Sequence, residues 1–204
     1  MADSRGDALG NEAAHRLVRW GGGQCRIEPG LTEVEFARIE TDFGFAFAAD
    51  HRAFLAAGLP VRVPDNDPPG VIRTYDPWPD WRDGDPKQLR DRLDRPMEGL
   101  LFDVKHNAYW DESWGERPAD VERALEVARQ HLSAVPTLVP VFGHRYLPAG
   151  REDFGHPVLS VWQRDIIYYG LDLADYITRE FGVPDRVDEA WSPRATVEFW
   201  RDFL

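Results

Sequence analysis

The chain has 204 residues, with 36 acidic side chains against 24 lysines and arginines and a formal charge of −12. That length is ample for one buried core and makes one domain with tails the simplest arrangement, while the acid excess argues against a nucleic-acid surface, which needs basic groups against phosphate. The single cysteine, Cys25, excludes an internal disulfide and any zinc site built from paired cysteines.

Residues 1–24 read as a polar, glycine-bearing N-terminal segment, partly disordered at its start, with a short helix from Asn11 to Trp20 and a flexible link at "WGGGQ". The first strong signal is "GLTEVEFARIETDFG". Thr32 and Glu35 have capping-box spacing, Leu31 and Phe36 can form a hydrophobic staple, and Phe36, Ile39 and Phe43 recur at helical intervals before Gly44 supplies a left-handed stop. "AADHRAFLAAG" predicts a second helix, with Asp50 as cap and Gly58 as terminator. From Leu59 to Pro96 the chain is rich in proline, aspartate and tryptophan, and "YDPWPDWRDGDP" predicts an aromatic loop, because its prolines exclude a helix interior or a central strand. "KQLRDRLDRP" reads as a short helix stopping before Pro96, and "GLLFDV" as a brief strand with Phe102 and Val104 turned to the core.

"PADVERALEVARQHLS" sets Val121, Leu125, Ala128 and Leu132 on one stripe, with acids in its first turn and His131 in its last, as the helix dipole favours. "TLVPVFG", "PVLSVWQ" and "IIYYG" read as strands, the last two joined as a hairpin. "LDLADYITREFG" returns to helix and is closed by Gly182 and Pro184. "SPRATVEFWRDFL" predicts a final docked helix with Ser192 as cap, Pro193 at its first position, and Val197, Trp200 and Leu204 as its apolar stripe. This order favours an α+β fold with a mainly antiparallel sheet flanked by helices over βαβ alternation. No apolar run reaches the roughly 18 to 20 residues of a membrane span, and the N-terminus lacks the apolar segment of a secretory signal, so a cytoplasmic protein without membrane contact is expected.

The segment from Glu98 to Pro118 concentrates Trp110, Trp114, His106 and the carboxylates Asp103, Asp111, Glu112 and Glu116, and allows a metal centre, a sugar platform or a scaffold. Asp103, His106, Asp111, His144, His156 and Asp165 are the candidate ligands, but none has a recognised ligand spacing, so no metal and no cofactor is expected. Cys25, Ser113 and Ser160 are the candidate nucleophiles; neither serine lies in a GxSxG elbow. Trp78, Trp81, Trp110 and Trp114 could stack sugar rings, but anchoring core and loops is the commoner use of indole. In "FGHRYLP", Arg145 could clamp an anion, although an internal ion pair fits the acid excess better. Gly99 and Gly115 read as turn positions, with Trp110 and Trp114 clamping the irregular loop.

"GLTEVEFARIETDFGFAFAADHRAFLAAGLPV" resembles the N-terminal signature of the SMI1/KNR4 family, or SUKH superfamily: a helix with a central glutamate, here Glu40, a glycine, and a second helix with a D-hydrophobic-R-x-F-L pattern, here "DHRAFL". His51 stands where an aromatic is common, and Ala48 or Ala49 replaces the usual proline. "PDWR", "EGLLFDV", "YWDESWGERP", "VPVFGHRYLP" and "SVWQRDIIYYG" are similar to an actinobacterial-type branch of that family. The resemblance implies a SUKH-like α+β domain over residues 25–183, followed by residues 184–204 as a docked C-terminal helix. It also implies a non-enzymatic protein-binding module, many bacterial members being immunity proteins that neutralise polymorphic toxins. A basic toxin such as a nuclease would suit the −12 charge. Trp78, Trp81, Trp110 and Arg145 are the expected partner contacts, because exposed aromatics and arginines dominate interfaces. Two alternatives stand beside this reading: a regulatory scaffold without a toxin, and a hydrolase or glycan-binding protein using Asp103, Asp111 and His144.

Overall fold

A computed structural model describes residues 4–21, 23, 25–63, 77–182, 193 and 196–204. The N-terminal segment is a long helix, α1 (Ser4–Trp20). The expected disorder at the extreme start falls partly on residues 1–3, outside the described residues, but the helix begins earlier than Asn11 and is part of the core. Gly6, Gly10, Ala13 and Leu17 lie on one helical face, and Ala13 and Leu17 are buried. Arg16 ties the helix to the far end of the chain by donating to the Ala174 carbonyl at 3.1 Å and to Thr178 Oγ1 at 3.0 Å.

After α1 come β1 (Cys25–Glu28), α2 (Glu33–Phe43), α3 (Ala49–Ala57) and β2 (Leu59–Arg62). β1 and β2 form an antiparallel pair in which Cys25 faces Arg62, a sheet that the glycine-rich link and the proline-rich run had concealed. The capping box is present in full, with Thr32 accepting from the Glu35 N–H and Glu35 from the Thr32 N–H, and Gly44 takes the left-handed conformation at φ 75°. Hydrogen bonding from Arg82, first among the causes, holds the Glu35 carboxyl down at about 2. Asp50 is not the cap of α3. Ala48 occupies that position without a side-chain bond, and Asp50 is buried, its two oxygens accepting from the His51 and Gly155 N–H groups at 2.8 Å. Gly58 does end α3, in extended rather than left-handed geometry.

α4 (Pro86–His106) runs straight through Pro96 and replaces both the short helix and the strand expected there. Proline has no N–H for the carbonyl four residues back, which here belongs to Arg92. The buried Tyr146 hydroxyl donates to that carbonyl at 3.2 Å, so the helix continues without an orphaned acceptor. Helical periodicity then buries Leu100, Leu101 and Val104 and leaves Phe102 exposed, whereas strand alternation had put Phe102 inside. Gly99 is a helical residue, not a turn; a Cβ there would lie 3.0 Å from Gln163 Cα, so the missing side chain lets α4 approach a later turn.

A 3-10 turn at Glu112–Trp114 leads to α5 (Val121–Leu132), β3 (Leu138–Phe142), β4 (Arg145–Pro148), β5 (Val158–Trp162), β6 (Asp165–Gly170) and α6 (Leu173–Phe181). The four strands form an antiparallel meander in sequence order, with the expected β5–β6 hairpin; β4 falls in "FGHRYLP", where no strand was expected. The fold is therefore α+β, with two antiparallel sheets and helices around them. One face of the meander, with Leu138, Tyr146, Leu159, Val161 and Ile166, joins α4 and α5 in one apolar cluster. The other, with Val139, Val141, Leu147 and Val158, joins α1, α2, α3 and α6 in a second.

The proposed cap Ser192 and the closing Pro184 lie outside the described residues. At the C-terminus the helix expected over "SPRATVEFWRDFL" appears only as a 3-10 turn, Trp200–Phe203, among the described residues. It is docked nonetheless: Val197 and Trp200 are buried, and the Trp200 indole N–H donates to the Pro136 carbonyl at 2.7 Å, while Leu204 is exposed.

His51 gives this fold an acid-sensitive point. It is fully enclosed against the Phe47 ring at 5.2 Å, its Nδ1 has no partner, and burial pushes its pKa down to about 3. The folded chain keeps it neutral while the unfolded chain takes up a proton below its ordinary 6.5, so this contribution to stability is lost as pH falls from about 6.5 towards 3. Phenylalanine in its place should abolish that loss. In urea unfolding, the wild type should lose about 2–3 kcal/mol more than His51→Phe between about pH 6.5 and pH 4.5; equal acid losses would refute the assignment.

Candidate interaction surface

Register places the side chains of the β5–β6 hairpin. Ser160 faces Ile167 and Trp162 faces Asp165, while Leu159, Val161 and Ile166 point into the α4–α5 cluster. Arg145 pairs with Ser160, so Arg145, Ser160, Trp162, Asp165, Ile167 and Tyr169 share the opposite face. α6 covers one end of it through Tyr176, whose ring lies 6.1 Å from that of Tyr169. At the other end Trp162 is 61% exposed and Ile167 51% exposed. The His144 ring approaches Trp162 edge-on at 6.2 Å, and burial, then the Arg145 and Arg95 charges, hold its pKa below the usual histidine range.

Between the covered and open ends stands Arg145. Its Nη1 donates to Ser160 Oγ at 2.9 Å, its guanidinium lies 3.6 Å from the Tyr169 ring centroid, and its Nε is 3.7 Å from Glu180 Oε2. Burial raises the Glu180 carboxyl, with Arg145 opposing. Arg145 is thus held by the protein itself, as an internal ion pair would require, and borders the open face.

The other expected contacts are placed differently. Trp78 and Trp81 are each only 1% exposed and cannot serve as surface anchors; they fill the core, Trp78 stacked on Phe181 at 5.4 Å and Trp81 against Phe47 at 5.4 Å. Trp110 is half-buried, donates its indole N–H to the Gly115 carbonyl at 2.7 Å and meets Trp114 edge-on at 5.3 Å, which is the loop clamp read from the sequence.

Of the groups considered for catalysis, Asp103 and Asp111 have structural partners. Asp103 is 2% exposed; one oxygen accepts from the Asn107 side chain and the other from the Arg164 N–H at 3.2 Å, joining the end of α4 to the β5–β6 turn. Asp111 caps the 3-10 turn by accepting from the Ser113 N–H at 2.9 Å and hydroxyl at 2.6 Å. Both flank Tyr109, whose hydroxyl is pushed up to about 12 mainly by burial. Among the described residues, no hydrogen bond or ion pair joins any two of Asp103, Asp111 and His144, and no three histidine, cysteine, aspartate or glutamate side chains converge as a metal site would require. Burial pushes the Cys25 thiol up to about 11, which suppresses its thiolate.

The α+β architecture and an open tryptophan-bearing sheet face define this molecule. No protein-family model, curated protein or solved structure matches the chain. No described helix is long and apolar enough to cross a membrane.

Proposed function

We propose that this chain is a non-enzymatic protein-binding module of the SMI1/KNR4 kind that docks a basic protein on the uncovered β5–β6 face, and that it acts in the cytoplasm as an immunity protein against a toxin such as a nuclease. The observation that carries the docking reading is Trp162, 61% exposed with Asp165 directly across the hairpin. A flat indole beside a carboxylate is a receptor for a lysine or arginine side chain, through cation–π attraction and ion pairing together. The net charge of −12 would speed the encounter with a basic surface. The toxin is supported by the family resemblance of the "DHRAFL" helix pair.

The test is capture of a partner from native lysate, followed by affinity measurement on that partner with wild type and Trp162→Ala at low and high salt. A basic partner that binds roughly 30-fold more weakly to Trp162→Ala, and more weakly in high salt, is the expected result. A partner indifferent to Trp162 would sink the docking face. Growth arrest by the partner, relieved by wild type and not by Trp162→Ala, would support immunity; a partner without toxicity would leave a regulatory scaffold.

A further inference from the structure

A cleft of about 380 Å³ opens between α2, the turn at residues 81–84 and the first turns of α4, and none of its lining residues belongs to the β5–β6 hairpin. In a chain with this acid excess its lining is unusual: among the described residues Arg38, Arg82, Lys87 and Arg90 stand against one carboxylate, Asp42. Two of the four cations have carboxylate partners, Arg82 with Glu35 at 2.5 Å and Lys87 with Asp91 at 2.7 Å. The other two have none among the described residues. Arg38 donates to the Trp81 and Arg82 carbonyls at 3.2 Å, and Arg90 to the Phe43 and Asp42 carbonyls at 2.9 and 2.7 Å. Carbonyl bonds fix the position of a guanidinium without neutralising its charge, so both are held in place with N–H groups to spare for an oxyanion.

The same cleft has an apolar wall. The half-buried Phe43 lines it with the enclosed Trp81 behind, their rings meeting edge-on at 5.8 Å, and the buried indole N–H of Trp81 has no acceptor among the described residues. Buried N–H groups are rarely left unpaired. Pro86 and Lys87, in the first turn of α4, also belong to the lining, and the helix end beside them is capped by Asp85, which accepts from the Lys87 N–H at 2.9 Å. We propose that this cleft binds a small organic anion, a carboxylate or phosphate head carried on a flat apolar body, with Arg38 and Arg90 holding the head and the half-buried Phe43 facing the body. A volume of this size is within the range of small-molecule sites. The site is independent of the protein-docking face and stands or falls without it.

The experiment is titration of the isotopically labelled full chain with phenyl phosphate, benzoate and inorganic phosphate, followed by amide and indole resonances. Saturable shifts are expected at Trp81 Nε1 and along the cleft, with phenyl phosphate tighter than inorganic phosphate; preference for phenyl phosphate or for benzoate distinguishes a phosphate head from a carboxylate. Arg38→Gln with Arg90→Gln should weaken binding at least about tenfold. Because those arginines also hold backbone, Asp42→Asn supplies a variant that misfolding cannot mimic: removing the one carboxylate among the described lining residues should tighten binding by about threefold. Absence of saturable shifts with all three probes, shifts that do not converge on the cleft, or an affinity unchanged in Asp42→Asn would overturn the proposal.

Discussion

Alanine at Trp81 should lower the stability of the fold by about 3–5 kcal/mol, the usual range for deleting a buried tryptophan. The ring sits amid Phe43, Phe45 and Phe47, at centroid distances of 5.8, 5.7 and 5.4 Å, so its removal leaves a cavity bounded by aromatic faces that staggered side chains cannot easily refill. Its carbonyl also receives Arg38, which fastens the 81–84 turn to α2. Urea unfolding with far-UV circular dichroism measures the loss directly. Trp162→Ala is the contrast, because its indole is mostly solvated; that variant should stay within about 0.5 kcal/mol of wild type. Similar losses for the two variants would mean that Trp81 does not occupy the core.

That contrast also shows where sequence reasoning reached its limit at the candidate site. For Trp78 and Trp81 the reading as anchors of core and loop holds, because an irregular segment needs large side chains to keep it against the core, and their enclosure excludes the partner contacts also expected of them. Trp162 lies at the end of an apolar strand and was not among the expected contacts. Only the register, with Ser160 opposite Ile167, and the end of α6 at Phe181 decide that its face is uncovered. Strand alternation in "VLSVWQ" does separate Ser160 and Trp162 from Leu159 and Val161, so the shared face was legible; which face a helix covers is a long-range fact.

The fold was legible wherever local chemistry was decisive. Thr32 with Glu35, the left-handed Gly44 and the stripe of Leu125, Ala128 and Leu132 specify α2 and α5 without reference to the rest of the chain, although Val121, at the start of that stripe, is exposed. Pro96 misled because the rule against internal proline is a rule about an unsatisfied carbonyl, and the hydroxyl that satisfies it comes from Tyr146, 54 residues beyond Arg92. Losing the helix there turned "GLLFDV" into a strand and reversed the side assigned to Phe102. β1 and β2 were missed for a related reason: four-residue strands have little periodicity, and theirs is fixed by pairing with each other across α2 and α3.

The clearest disagreement between composition and structure concerns α1, and Gly10→Ala tests it. Glycine and charge in the first residues suggest a loose segment, but a Cβ at Gly10 would lie 2.2 Å from the Asp50 carbonyl oxygen and 2.7 Å from the Phe54 nitrogen, both main-chain atoms of α3. The helices approach so closely that the glycine is a contact surface. In an isolated helix the alanine would gain about 1 kcal/mol. Here that gain is set against the displacement of α1 from α3, for which overpacked cores lose about 1–3 kcal/mol and occasionally more. Because the clash is with backbone on a helix that also carries Asp50 and its bond to Gly155, the expected net result is a loss of about 2 kcal/mol, with hydrogen-exchange protection falling first in α1. Asn11→Ala, one position along on the exposed side, should change stability by less than about 0.5 kcal/mol. A Gly10→Ala chain as stable as wild type, or more so, would show α1 free of the core and return the N-terminal segment to the loosely attached helix that its composition suggests.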